Sequence, residues 1–123
     1  MIILAPISLG ELIDKITILE LKLEFLFDPK KLENVNTELK HLNTVLNALT
    51  IPDITDERDA LKLVNRRLWH IENFKRECEK NQTFGEDFID NARQVYLRND
   101  LRAEIKRRIN ETVGSTIIEE KSY

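Results

Sequence analysis

The chain has 123 residues and a formal net charge of −3, with 41% hydrophobic and 33% charged residues. This composition is too apolar for a disordered chain and too charged for a membrane protein, and the length is that of one domain. Only three glycines and three prolines are present, which leaves few turns for a many-stranded β-fold. The sequence therefore predicts a single helical domain over residues 1–123.

The cysteine content and the first residues exclude further classes of protein. Cys78 is the only cysteine, so an intrachain disulfide and a cysteine-based metal site are both excluded. Residues 1–9 are apolar but short, without a basic region or a small-residue cleavage site, so no signal peptide is predicted. No stretch approaches the roughly 18 apolar residues of a membrane span. We therefore expect a cytoplasmic protein with no membrane partner.

The first helix is predicted from a capping box and an apolar repeat. Ser8 and Glu11 have the spacing of a capping box, and the heptad that follows places helix one at about residues 9–27. A second apolar stripe widens this face and consists of Ile18, Leu21 and Phe25. A face of this width predicts contact with more than one neighbouring helix.

Helices two and three follow after short interruptions. Asp28 and Pro29 are a good N-cap and a good first helical residue, so helix two starts there and lies antiparallel to helix one. Pro52 ends it, because the residue before a proline resists helical geometry. Helix three is expected to start near Asp53 to Asp56 and to run to about Lys80, with Trp69 and Phe74 off its apolar seam.

The last third of the chain predicts a shorter helical pair. Helix four is expected at residues 85–97, and a shift in the apolar phase predicts a break before helix five, which ends at Gly114. In the tail, Ile117 and Ile118 are candidates for a small two-stranded pairing with residues 2–4. The predicted fold is thus an all-α antiparallel bundle of three long helices and a shorter C-terminal pair.

Basic residues concentrate near the C-terminus. Residues 93–113 carry six basic and three acidic side chains, whereas residues 1–28 carry two basic and five acidic ones. Arginine, lysine, asparagine and tyrosine near a helix N-terminus can gather phosphate or carboxylate oxygens. The candidate anion site consists of Arg93, Tyr96, Asn99, Arg102 and Lys106. The alternative is a solvated basic face paired with the acidic helix one.

Two other kinds of site have less support. The overall charge is acidic and no aromatic residues are interleaved with the basic run, so a nucleic-acid partner is not expected. Carboxylates lie one helical turn apart at Glu11 and Asp14 and again at Asp87 and Asp90. This resembles the magnesium-binding helices of all-α nucleoside-triphosphate pyrophosphohydrolases, but the two pairs are farther apart and the second has Asp where Glu is usual. We expect no metal and no cofactor, with a cation site as the alternative.

Three segments carry a family resemblance: residues 5–20 (APISLGELIDKITILE), 92–106 (ARQVYLRNDLRAEIK), and 114–115 with 119–123 (GS and EEKSY). They resemble a small uncharacterised bacterial and phage family of helical proteins, along essentially the whole chain. The resemblance implies a helical fold and no established activity. Besides the candidate anion site, it points to a supporting polar network of Glu11, Asp14, Lys15, Glu119, Lys121 and Tyr123. These residues form either a ligand site or a salt-bridge network that locks both termini to the bundle.

The sequence leaves two classes of function open. The leading hypothesis is a non-catalytic binding or assembly module, and the surplus apolar residues of helix one, with Trp69 and Phe74, favour a homodimer. The alternative is an enzyme or binder that acts on a phosphorylated or carboxylated small molecule, such as a nucleotide or sugar phosphate, at the candidate anion site.

Overall fold

A computed structural model describes residues 1–122 of the chain, and within them it contains four α-helices and no strand. Helix α1 spans Leu9–Phe25, α2 spans Pro29–Asn47, α3 spans Thr55–Asn81 and α4 spans Glu86–Val113. The all-helical fold class is confirmed. None of these helices combines the length and the apolarity needed to cross a membrane.

Local sequence signals set several of the helix ends. Ser8 caps α1 by accepting a hydrogen bond from the Glu11 amide at 3.2 Å, and Asp28 caps α2 by accepting from the Lys30 amide at 2.9 Å. Gly114 ends α4 with a φ of 69°, a left-handed conformation in which only glycine avoids a steric penalty. These three boundaries are where the sequence predicts them.

Helix α1 is the centre of the bundle. It contacts each of the other three helices, α3 and α4 also contact each other, and α2 lies on α1. The second apolar stripe of α1 is used inside the chain, since Leu21 is buried and Phe25 stacks on Trp69 at 5.6 Å between ring centroids. The predicted contact of helix one with more than one neighbour is therefore confirmed.

The main apolar core joins α1, α3 and the second half of α4. Its fully buried members include Ile13 and Ile16 from α1, Leu61 from α3 and Ile109 from α4. Partly buried leucines of α2 cover this core from one side: Leu39, Leu42 and Leu46. Because α1 packs against both α3 and α4, its position relative to these two helices is fixed by the core.

The predicted break between helices four and five is wrong. Residues 86–113 form one continuous helix, so the expected shorter pair is a single long helix, α4. The stripe that starts with Phe88, Ala92 and Val95 continues at helical spacing through polar residues rather than apolar ones: Asn99, Arg102, Lys106 and Asn110. Arg102, Lys106 and Asn110 find partners on α1, and Asn99 accepts from Arg102 within α4, so the polar stripe packs without a kink in the helix.

The predicted two-stranded pairing of the chain ends is also wrong. Residues 1–7 and 116–122 carry no strand, and no backbone hydrogen bond joins Ile2–Leu4 to Ile117 or Ile118. Both segments remain largely exposed. A pair of short strands without a third strand or a covering helix has little stability in water, which explains why the chain ends do not pair with each other.

Candidate functional site

A line of polar residues joins the start of α1 to the second half of α4, and we call it the polar lock. On α1 it contains Gly10, Glu11, Asp14 and Thr17, on α3 Asn65, and on α4 Arg102, Lys106 and Asn110. Gly10 meets Asn110, whereas Asp14 meets Arg102, so the two helices run antiparallel. Residues one turn apart on α1 therefore meet residues one turn apart on α4, in reverse order.

Asp14 is the most buried member of the polar lock, with a relative exposure of 1%. Arg102 donates to both of its carboxylate oxygens, from Nε to Oδ1 at 2.8 Å and from Nη2 to Oδ2. Asn65 Nδ2 donates to Oδ1 at 2.9 Å and also to Thr17 Oγ1 at 3.0 Å. The two-pronged arginine pair and the extra amide donor satisfy a carboxylate that would otherwise be costly to bury.

Lys106 is held between two helices and the tail. The lysine is buried, with a relative exposure of 8%. Its Nζ lies 2.8 Å from Glu11 Oε2 and 3.0 Å from Glu119 Oε2. The tail makes two further ion pairs with α4, from Glu120 to Arg107 at 3.0 Å and from Lys121 to Asp100 at 3.1 Å. Lys106 therefore ties the first turn of α1 and the C-terminal tail to the same place on α4.

The backbones of α1 and α4 approach each other closely at Gly10. Its amide donates to Asn110 Oδ1 at 2.8 Å. A Cβ atom at Gly10 would lie 2.6 Å from the carbonyl oxygen of Lys106, closer than such atoms approach in proteins. Glycine is required here because α1 and α4 touch without room for a side chain.

Opposing effects set the pKa values of the charged members of the lock. Burial raises the pKa of Asp14, but hydrogen bonds from Arg102 and Asn65 and the Arg102 charge outweigh it and bring the pKa below its ordinary value. The pKa of Glu11 is likewise lowered, because the Lys106 bond and charge exceed the effect of burial. Burial lowers the pKa of Lys106, but its two carboxylate partners raise it above the ordinary value. All three groups are held in their charged forms.

These pKa directions predict a pH dependence of stability. Asp14 and Glu11 have lower pKa values folded than unfolded, so their contribution is complete above about pH 5 and is lost as the pH falls through their folded pKa values. Lys106 contributes fully below about pH 10 and loses its contribution above its raised folded pKa. Urea unfolding of the Asp14→Asn variant should show a shallower acid slope than the wild type. An equal slope, or the same change in the exposed Asp90→Asn control, contradicts this.

The structure brings some of the predicted anion-site residues together and leaves others apart. Arg102 and Lys106 are both held by carboxylates of the chain itself, and Asn99 Oδ1 accepts from Arg102 Nη1 at 3.4 Å. Arg93 and Tyr96 lie on the exposed side of α4 and make no polar contact with residues 1–122. Whether an anion binds these five residues stays a prediction.

The described members of the predicted supporting network all form ion pairs. Glu11, Asp14 and Glu119 are the carboxylates of the ion pairs above, and Lys15 lies 3.5 Å from Glu11 on the surface of α1. Lys121 reaches Asp100 rather than the lock itself. Tyr123, the last predicted member, lies outside the described residues.

The alternative cation site at Glu11, Asp14, Asp87 and Asp90 does not assemble. Asp87 and Asp90 are exposed at the first turns of α4, whereas Asp14 meets that helix at Arg102. Twelve residues separate Asp90 from Arg102, which is about 18 Å along a helix. Among residues 1–122, no group of three acidic, histidine or cysteine side chains is placed to hold a metal ion.

Sequence reasoning missed three buried polar members of the polar lock: Thr17, Asn65 and Asn110. The partnership of Asn110 with Gly10 was missed with them. The available signal was the helical spacing of Arg102, Lys106 and Asn110, which continues the stripe of Phe88, Ala92 and Val95.

Comparison with known proteins gives a family and no activity. A model described as "Family of unknown function (DUF6165)" matches residues 3–123, which include all of the polar lock. The resemblance to an uncharacterised family is thereby confirmed. Neither a curated protein nor a solved structure matches the chain significantly.

Proposed function

The chain belongs to this family of unknown function, and we propose that it is a non-catalytic assembly module that forms a homodimer through its two chain ends. We call residues 1–7 the arm and residues 115–122 the tail. The polar lock fixes the start of α1 against the end of α4 through Gly10 and Asn110. The arm and the tail therefore begin at the same end of the bundle, where one contact surface can include the arm and the start of the tail.

The observation that carries the proposal is the exposure of apolar side chains in the arm. Ile2, Ile3 and Leu4 are 69%, 78% and 92% exposed. In the neighbouring tail, Ile117 and Ile118 are 42% and 57% exposed. Contiguous exposed apolar residues mark interaction surfaces in folded proteins, because leaving them in water costs free energy that a partner recovers.

A second copy of the chain is the occupant that fits these ends. The backbone of residues 2–4 makes no hydrogen bond with other described backbone groups, so its donors and acceptors are open to an added strand. In a two-fold dimer the arm of one copy lies against the tail of the other, and the same contact occurs twice. Each arm is then covered by the tail of the partner copy, and each tail by the partner's arm.

The charged residues of the polar lock fit a structural role better than acid–base catalysis. Catalytic acids and bases have pKa values moved toward neutral pH, so that they exchange protons during turnover. In the polar lock the pKa values of Glu11 and Asp14 are lowered and that of Lys106 is raised. These directions are those of structural ion pairs.

Sedimentation velocity tests the homodimer. The wild-type protein should sediment with twice the chain mass of 14.5 kDa at high concentration. The double variant Ile3→Asp/Leu4→Asp should raise the dimer dissociation constant by about 100-fold or more, because two buried apolar side chains contribute roughly 1.5–3 kcal/mol each. Leu63→Asp, at a 65% exposed position on α3, is the control and should keep the dimer. A monomeric wild type, or a dimer that tolerates the arm variant, contradicts the proposal.

A further inference from the structure

A cleft of about 350 Å³ opens between α1, α3 and α4, on the far side of Asp14 from the tail. Its apolar wall consists of Ile18 and Leu21 from α1 and Leu68 and Trp69 from α3. The Trp69 ring is held in place by stacking on Phe25, at 5.6 Å between centroids and an interplanar angle of 23°. The wall is therefore a rigid apolar surface with the volume of a small-ligand pocket.

Polar groups line one side of the same cleft along α3. Trp69, Asn73 and Arg76 follow each other at spacings of four and three residues, so they lie on one face of that helix. None of the three side chains makes a hydrogen bond or an ion pair with another residue in the described part of the chain. Their indole N–H, amide and guanidinium groups are all available as donors.

The cations around the cleft outnumber the carboxylates that pair with them. Arg102 also lines the cleft, but Asp14 holds it in a two-pronged pair. Arg98 lies one turn before Arg102 on α4, and its Nε is buried without a hydrogen-bond partner among residues 1–122. Glu72 is the acidic residue of the lining and is paired with Lys75 at 3.5 Å. The local field therefore favours an anion.

We propose that this cleft binds a small organic anion that has a flat apolar body and one carboxylate or phosphate group. The flat body lies against Trp69 and Leu68, where stacking on an aromatic face adds to apolar burial. The anionic group lies at Arg76, whose guanidinium can donate two parallel hydrogen bonds to it. This site is separate from the dimer surface at the chain ends, and it shares only Arg102 with the anion site predicted from the sequence.

Binding in the cleft can be followed by tryptophan fluorescence, because Trp69 is part of the apolar wall and is the only tryptophan in the sequence. Titration with benzoate and with phenyl phosphate should change its fluorescence saturably, and the tighter of the two identifies the preferred anionic group. Benzamide has the same ring without the charge and should bind at least about tenfold more weakly, since the charge-assisted bonds to Arg76 are lost. The variant Arg76→Gln should weaken both anions about tenfold and leave benzamide unchanged.

Arg93→Gln is the matched control. Arg93 is an exposed arginine of the sequence-predicted anion site and does not line the cleft. The cleft proposal expects wild-type affinity for this variant, and also for Ile3→Asp/Leu4→Asp, so that loss of the dimer and loss of the site are distinguished. The proposal is overturned if none of the three probes binds below about 10 mM, which is under 3 kcal/mol of affinity. It is equally overturned if Arg76→Gln binds the anions like wild type.

Discussion

Replacement of Asp14 with alanine is expected to lower the free energy of unfolding by about 3 kcal/mol. Asp14 is 1% exposed and accepts hydrogen bonds from Arg102 and Asn65. Its removal leaves the Arg102 guanidinium partly buried, with 29% of its side chain exposed and no carboxylate in reach of Nε. The cost comes from this unpaired charge and from the lost donor–acceptor pair with Asn65.

Urea unfolding, followed by far-ultraviolet circular dichroism, measures the effect of Asp14→Ala. The control is Asp90→Ala, which removes an exposed carboxylate from α4 and should change stability by less than about 0.5 kcal/mol. A similar, small loss in both variants would show that the Asp14 pair contributes no more than a surface charge does.

The substitution Gly10→Ala should destabilise the protein by about 2–3 kcal/mol. The added Cβ would lie 2.6 Å from the Lys106 carbonyl oxygen and 2.9 Å from Asn110 Oδ1. Because the first of these atoms belongs to the backbone of α4, it has no rotamer by which to move away. The two helices must separate locally, which also weakens the bond from the Gly10 amide to Asn110.

Gly85→Ala is the matched control for this substitution. Nothing lies within 4 Å of a Cβ at Gly85, and its φ of −80° suits any residue. Thermal unfolding should show a clear fall in midpoint for Gly10→Ala and little change for Gly85→Ala. A Gly10→Ala variant as stable as wild type would mean that α1 and α4 do not touch at this point.

Most of the helix ends follow from local chemistry. Capping side chains at Ser8 and Asp28, proline at residue 29 and glycine at residue 114 each act within a few residues of the boundary they set. Such signals are visible in the sequence because they need no distant partner. The central place of α1 was similarly visible, since its apolar face is wider than one neighbour requires.

The course of α4 was not predictable from apolar periodicity alone. Periodicity assigns polar residues to the surface, so Arg102 and Lys106 were assigned outward and a break was needed to explain the phase shift. Their inward orientation depends on carboxylates that lie more than eighty residues earlier, at Asp14 and Glu11. Only the three-dimensional pairing of the two helices reveals that the polar stripe is an interior one.

The candidate site was predictable only in part. Segments 5–20 and 92–106, which carry the family resemblance, contain both residues of the Asp14–Arg102 pair. It did not indicate Asn65, because a single asparagine in α3 has no distinguishing neighbours. Nor did it reveal the cleft at Trp69, which depends on how α1, α3 and α4 are arranged in space.

The polar lock positions the two chain ends that form the proposed dimer surface. The ion pair between Glu11 and Lys106 fixes the start of α1, where the arm begins, against the second half of α4, and Glu119 ties the tail to the same lysine. The proposed dimer surface therefore depends on the lock for its geometry, although the lock residues themselves do not enter the surface. The cleft at Trp69 lies on the other side of Asp14, and the ion pair with Asp14 holds Arg102 in its lining.

In the structure Arg102 is the ion-pair partner of Asp14, and we expect this pair to stabilise the fold rather than to bind a ligand. A double-mutant cycle tests it with Asp14→Leu, Arg102→Met and the two combined, each measured by urea unfolding. We expect a coupling energy of about 1–3 kcal/mol, with the double variant more stable than Asp14→Leu alone, since removing both charges costs less than removing one. Additive effects, within about 0.5 kcal/mol, would contradict it and return Arg102 to the candidate anion site.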